Sequence, residues 1–133
     1  MAAPLHELCD RLAANTLRPE QQVHALPADL SDPAAPQAVL TEARRLWPRL
    51  DILVNNAGIQ GPIGMIADND WAAWRDTVQI NLLAPAELCK LSIDWMRHTG
   101  GGRIVNLGGG GAAGLRPNFL GVRYRQMRAH QIH

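Results

Sequence analysis

The chain has 133 residues, enough for one domain with a core of its own if its elements are complete. Its 13 basic and 12 acidic residues are scattered without runs and leave a net charge of +1, which argues against nucleic acid or a membrane surface and leaves a small molecule as the default partner. No apolar run approaches the roughly eighteen residues of a membrane span. Cys9 and Cys89 have no Cys-x-x-Cys spacing and the start lacks a basic-then-apolar leader, a pattern that suits free thiols in a reducing cytoplasm.

Leu5, Leu8 and Leu12 recur at i, i+3 and i+7, which predicts an amphipathic helix over 4–14 ending at Asn15. Gln21 to Asp29 begins with polar and apolar residues in alternation and reads as a strand, with Pro27 near its end. Ser31 or Asp32 then caps a helix with Pro33 in first position; Val39, Leu40, Ala43, Leu46 and Trp47 form its apolar face until Pro48. Asp51-Ile52-Leu53-Val54-Asn55-Asn56-Ala57-Gly58 follows, and the rest is organised around it. Its apolar part does not alternate, as in a parallel strand covered on both faces. The polar step comes at the carboxyl end, where ligands sit in open α/β sheets. There Asn55 and Asn56 supply donors and acceptors, and Ala57-Gly58 let backbone come close to something flat.

Ile59 to Ala67 is a loop punctuated by Gly61-Pro62 and Gly64, a candidate lining for a substrate cleft. Asp68, Asn69 or Asp70 caps a long helix to about His98, with Trp71, Trp74, Val78, Leu82, Leu88 and Trp95 among its expected buried positions. Pro85 sits inside it. A proline there gives no N–H to the carbonyl four residues back, so a kink centred on Asn81 is expected. Thr99 to Gly102 ends the helix, a strand runs from Arg103 to Leu107, and Gly108 to Asn118 shows neither helical nor strand pattern. Helix and strand alternate, so the sheet should be parallel.

Asn55-Asn56-Ala57-Gly58 after such a strand resembles the short-chain dehydrogenase/reductase family. The order around it agrees: Pro27-Ala28-Asp29-Leu30-Ser31-Asp32 before, Val78-Gln79-Ile80-Asn81-Leu82 after, and Gly102-Arg103-Ile104-Val105-Asn106-Leu107 beyond. The resemblance covers about residues 20–119, the middle of an ordinary member. It implies an α/β fold, an incomplete Rossmann-like (doubly wound) parallel sheet with flanking helices. Residues 1–119 would be a partial NAD(P)-binding domain and 120–133 an unstructured tail. It further implies hydride transfer between an alcohol or carbonyl substrate and NAD or NADP. On that basis Asp29 and Leu30 hold the adenine, Asn56, Ala57 and Gly58 lie beside the ribose and nicotinamide, and the backbone carbonyl of Asn81 holds a water of the proton relay. The bland alternatives are a turn carboxylate, an ordinary strand-to-loop turn and an amide satisfied within its own kinked helix. No metal is expected, since His130-Gln131-Ile132-His133 offers two ligands on a chain end.

The chain departs from the family where the acid–base chemistry lies. Gly108 and Gly109 stand where a serine pair is expected, the nearest tyrosine is Tyr124, placed late, and four residues on lies Arg128 instead of lysine. Arginine does not release its proton and presents a different head geometry. The family's first strand and glycine loop are missing, and Gly108 to Gly111 is no substitute, since no helix follows to aim N–H groups at a pyrophosphate. This chain is therefore expected to be an inactive fragment. The alternative is a non-catalytic subunit that pairs with an intact family member, or with its own copy, through the helix at 70–98. In the family fold the missing strand lies between the one before Asp29 and Ile52–Val54. Those two then either pair directly, with Leu53 near Val23, or the first detaches. If one base was inserted after the Phe119 codon, the tail's permitted codons, read one base later, can spell Ser-Ala-Tyr-Ala-Thr-Ala-Lys-Cys-Ala-Leu-Thr-Arg, which holds the absent Tyr-x-x-x-Lys; the nucleotide sequence decides this.

Overall fold

The computed structural model describes residues 3–108 apart from 17 and 19. The leucine spacing near the start forms α1 (Ala3–Ala13), closed by the Asn15 side-chain amide, which donates to the Arg11 carbonyl at 2.7 Å. Its apolar stripe is only partly covered: Leu5 is half-buried, whereas Leu8 and Leu12 are exposed.

The strand expected over 21–29 does not form. A strand needs a neighbour for its backbone groups, and this segment pairs with neither strand of the sheet. Of the two outcomes open to it, detachment is the one found. It is held from the side instead. The Cys9 thiol donates to the Val23 carbonyl at 3.4 Å, and the His24 ring meets Trp47 edge-to-face with centroids 5.1 Å apart.

The second helix, α2 (Ala35–Leu46), begins later than Ser31 or Asp32 would place it, and its cap position is Ala34. Pro36 explains the shift. In a helix with Pro33 at its first position, Pro36 would need the N–H it lacks, whereas in the first turn of α2 that N–H has no partner to lose. Asp32 still serves the approach by accepting the Ala34 N–H at 2.9 Å.

The organising stretch forms β1 (Ile52–Asn55), and the chain returns by a helical crossover to β2 (Arg103–Asn106), parallel and adjacent, with Leu53 opposite Ile104 and Asn55 opposite Asn106. The ladder is closed at both ends by Arg103 N–H to the Asp51 carbonyl and Leu107 N–H to the Asn55 carbonyl, at 2.8 and 2.9 Å. Among the described residues the sheet has these two strands. Cover on both faces, expected from the lack of alternation, is found on one. Leu53, Asn55, Ile104 and Asn106 are half-buried, while Ile52 and Val54 are 60% and 53% exposed. The long helix lies against β1 and α2 packs on that helix, so both belong to a single layer.

The crossover is α3 (Trp71–Val78), a π-helical turn (Gln79–Leu83) and α4 (Ala84–His98), continuous in sequence. Asp70 is its cap, accepting from Ala72 N–H at 3.0 Å and Ala73 N–H at 3.3 Å. The irregularity expected around Asn81 takes the form of the π turn, in which Ala84 N–H reaches back five residues to the Gln79 carbonyl. Trp71 was expected inside and is 67% exposed, being in the first turn, beyond the reach of the sheet and α2. Trp95 and Met96 are buried with Leu40, Ala35 and Pro36 of α2. Arg44 of α2 lies over the Trp95 ring, 5.3 Å from its centroid, and pairs with Asp94 at 3.3 Å. The helix ends where Gly101, in a left-handed conformation (φ 90°), turns its N–H to the Met96 carbonyl at 2.8 Å.

The cap gives a test. Asp70→Ala should lower stability by about 0.5–2 kcal/mol in urea denaturation and Asp70→Ser by much less; equal midpoints for Asp70→Ala and the parent chain would remove the cap from the account.

Candidate functional site

The chain leaving β1 runs back along the crossover helix and is fastened to it at successive turns. At the strand end, the Asn55 amide donates to Asn106 Oδ1 at 2.8 Å, so the last residues of both strands are joined by their side chains as well as by register. The same amide lies 3.4 Å from Cys89 Sγ and 3.5 Å from the Pro85 carbonyl, both on α4. Four residues on, Asn81 holds Ile59 by both backbone groups: its Oδ1 accepts the Ile59 N–H at 2.9 Å and its Nδ2 donates to the Ile59 carbonyl at 2.8 Å. This pair of hydrogen bonds also fixes which way the carboxamide points. Gly58 passes so close that a Cβ there would lie 3.3 Å from Asn81 Oδ1. Gly61 then reaches Thr77, one turn earlier on the helix.

Between these fastenings Asn56, Ala57 and Gly58 are exposed. No side-chain hydrogen bond engages Asn56 among the described residues. The structure thus separates the two asparagines of the motif: Asn55 ties the sheet to the helix, and Asn56 is uncommitted at the surface. Asn81 is brought against Gly58 and Ile59. Its carboxamide is committed to the loop, and its backbone carbonyl has no N–H from Pro85 to accept, because proline has none.

Asp29 sits in a turn of its own. Its Oδ1 accepts the Ser31 hydroxyl at 2.7 Å and the Ser31 N–H at 3.0 Å, and the hydroxyl, followed by the amide, holds the carboxyl below its ordinary value against a slight opposing desolvation. Leu30 beside it is half-buried. No hydrogen bond or ion pair joins Asp29 or Leu30 to Asn56, Ala57, Gly58 or Asn81 among the described residues. Gly108, at the expected serine position, is exposed after β2. Gly109, Tyr124, Arg128, the His130 and His133 pair and the tail 120–133 lie outside the described residues. Among the described residues no three His, Cys, Asp or Glu side chains gather as metal ligands, and no helix is long and apolar enough to cross a membrane.

Sequence reasoning missed the Asn55–Asn106 bridge, the Asn81 grip on Ile59 and the Gly61–Thr77 contact. Two signals were present. Both apolar strands end in asparagine, and Thr77, Asn81, Pro85 and Cys89 recur every fourth residue, one helix turn apart.

Comparison with known proteins agrees with this architecture. A family model described as short chain dehydrogenase matches residues 1–125. The chain is similar to the short chain dehydrogenase/reductase dpmpG of Macrophomina phaseolina, with 34% identity over 89 residues, 65% of this chain and 51% of that protein. Among solved structures it resembles a 3-ketoacyl-ACP reductase from Sinorhizobium meliloti 1021 (TM-score 0.70, 28% identity, 80% of this chain and 40% of that one). It also shares the fold of a metagenomic short-chain oxidoreductase crystallised with NADP (TM-score 0.78, 24% identity, 90% of this chain and 52% of that one). The chain spans about half or less of each of these proteins.

The Asp29 turn is directly testable. Because the folded carboxyl titrates below its unfolded value, the turn's contribution to stability is complete above the unfolded value and is lost as pH falls through the folded one. Ser31→Ala should move the Asp29 titration, followed by carboxyl-carbon NMR, upward toward the ordinary aspartate range; an unmoved midpoint would show that Ser31 is not the cause.

Proposed function

The chain belongs to the short-chain dehydrogenase family, and from that premise we propose that it derives from an NAD(P)-linked oxidoreductase acting on an alcohol or carbonyl substrate, and that as written it does not turn over. The observation that carries the reading is the stretch Asn56-Ala57-Gly58. It is exposed, bears no bulky side chain beyond one uncommitted carboxamide, and is held in place from behind by Asn55 and Asn81. Such a surface fits the ribose and flat nicotinamide of the cofactor: backbone comes close, and the Asn56 amide both donates and accepts. When bound, the nicotinamide gives or takes the hydride. Asp29 and Leu30 are assigned to the adenine end by resemblance, with Asp29 Oδ2 as the carboxylate oxygen that Ser31 does not engage.

The substrate oxygen gains charge as hydride arrives, so catalysis needs a donor at that oxygen and a path that refills it with a proton. Asn81 is assigned to the path by resemblance: its backbone carbonyl, which receives no N–H from Pro85, is the group that would hold a water. The donor is what the chain lacks. Glycine at 108 has no hydroxyl, and Arg128 cannot take the place of a lysine that tunes a tyrosine. The neighbourhood of Tyr124 is accordingly the part of the chain in which the shifted-frame reading is to be sought.

A second reading rests on exposed apolar surface. Trp71 and Leu83, on the crossover helix, are 67% and 52% exposed, which suits a non-catalytic subunit joined to an intact family member through residues 70–98. The test for both is one preparation. The purified chain, given NADH or NADPH with a panel of carbonyl compounds, should consume no cofactor above the blank, and turnover would overturn the inactive reading. Mixed with an intact relative, it should co-elute only if the second reading holds; Trp71→Ser would then weaken the association.

A further inference from the structure

We infer that Thr77 is a positioning residue: together with Gly61 it sets where the loop after β1 crosses the crossover helix, and so keeps Ile59 in the grip of Asn81. Thr77 is buried at 6% exposure, and its hydroxyl is already engaged within the helix, donating to the Ala73 carbonyl at 2.7 Å. What faces the loop is its surface, and the fit is tight. A Cβ on Gly61 would fall 2.9 Å from Thr77 Cγ2 and 3.1 Å from Oγ1, closer than such atoms rest. The rotamer of Thr77 has little freedom to yield, since a β-branched side chain bonded to the preceding turn is held at χ1.

The spacing links this contact to the grip. Ile59 and Gly61 are two residues apart, a stretch that spans up to about 7 Å, and Asn81 and Thr77 are one helical turn apart, about 6 Å. Loop and helix therefore stay in step over this interval, antiparallel. A side chain at 61 lifts the loop from Thr77, and the nearest backbone groups to be carried away are those of Ile59, held at 2.9 and 2.8 Å with little slack. Gly58, 3.3 Å from Asn81 Oδ1 at its Cβ position, would move with them. In function this matters only if residues 56–58 face the cofactor, as proposed above; the contact itself is read without any cofactor.

The experiment is amide hydrogen exchange by NMR on the full 133-residue chain. Gly61→Ala should lower the protection of the Ile59 N–H by about fivefold to tenfold, the worth of one lost hydrogen bond. The double variant Gly61→Ala with Thr77→Ala, which opens the space, should restore it. An unchanged Ile59 rate in Gly61→Ala, or a double variant no better than the single one, would overturn the inference. If Gly61→Ala does not fold, two variants on the native glycine decide. Thr77→Val keeps the shape and should keep the protection, Thr77→Ile adds a methyl group and should lose it, and equal protection in both overturns the inference. Titration of the unsubstituted chain with NADP runs alongside: absence of binding counts against the proposed cofactor site and leaves the exchange results standing.

Discussion

A helix that cannot be regular holds the candidate site together. Pro85 withholds an N–H in the middle of the crossover, and the chain answers with a π turn over Gln79–Leu83 between two ordinary helical stretches. Asn81 sits inside that turn with its side chain fastened to both backbone groups of Ile59. Two such bonds contribute on the order of 2 kcal/mol net. Their larger effect is geometric, because they turn an exposed strand-to-loop exit into a segment with a fixed path over the helix. Asn55 performs the same task one step earlier, at the end of the sheet.

The remainder of the fold supports that arrangement unevenly. α2 and α4 supply the buried side chains, with Leu40, Trp95 and Met96 at their centre and Arg44 across the Trp95 ring. The sheet supplies less. A two-stranded sheet covered on one face is marginal by itself, and here Ile52, Val54 and Val105 remain in contact with solvent. The layer of helices therefore organises the strands in the described part of the chain, the reverse of what an apolar, non-alternating strand suggests.

Much of this was legible in the sequence. The two strands β1 and β2, the parallel sense, a helix cap among Asp68, Asn69 and Asp70, and the seat of the irregularity at Asn81 all follow from local chemistry: apolar runs, a capping side chain, a proline. The family could be recognised from Asn55-Asn56-Ala57-Gly58 and its ordered neighbours, and the match over residues 1–125 agrees. Most of the failures share a cause. The strand at 21–29 and the burial of Ile52, Val54 and Trp71 each depend on what lies beside a segment, and alternation or spacing within the segment does not carry that. Side-chain fastenings were hidden for the same reason, being pairings between residues distant in the chain, 51 positions apart for Asn55 and Asn106. The start of α2 is a separate case, set by Pro36 within the segment itself.

The claim on which the rest depends is that Asn81 grips Ile59 through two hydrogen bonds at the π turn. NMR scalar couplings transmitted across hydrogen bonds measure it directly. The expected result is one coupling from the Ile59 amide nitrogen to the Asn81 side-chain carbonyl carbon and a second from the Asn81 side-chain nitrogen to the Ile59 carbonyl carbon. Absence of both in a chain whose crossover helix is intact would contradict it, and would leave Asn56-Ala57-Gly58 without the fixed path on which its candidacy as a site rests.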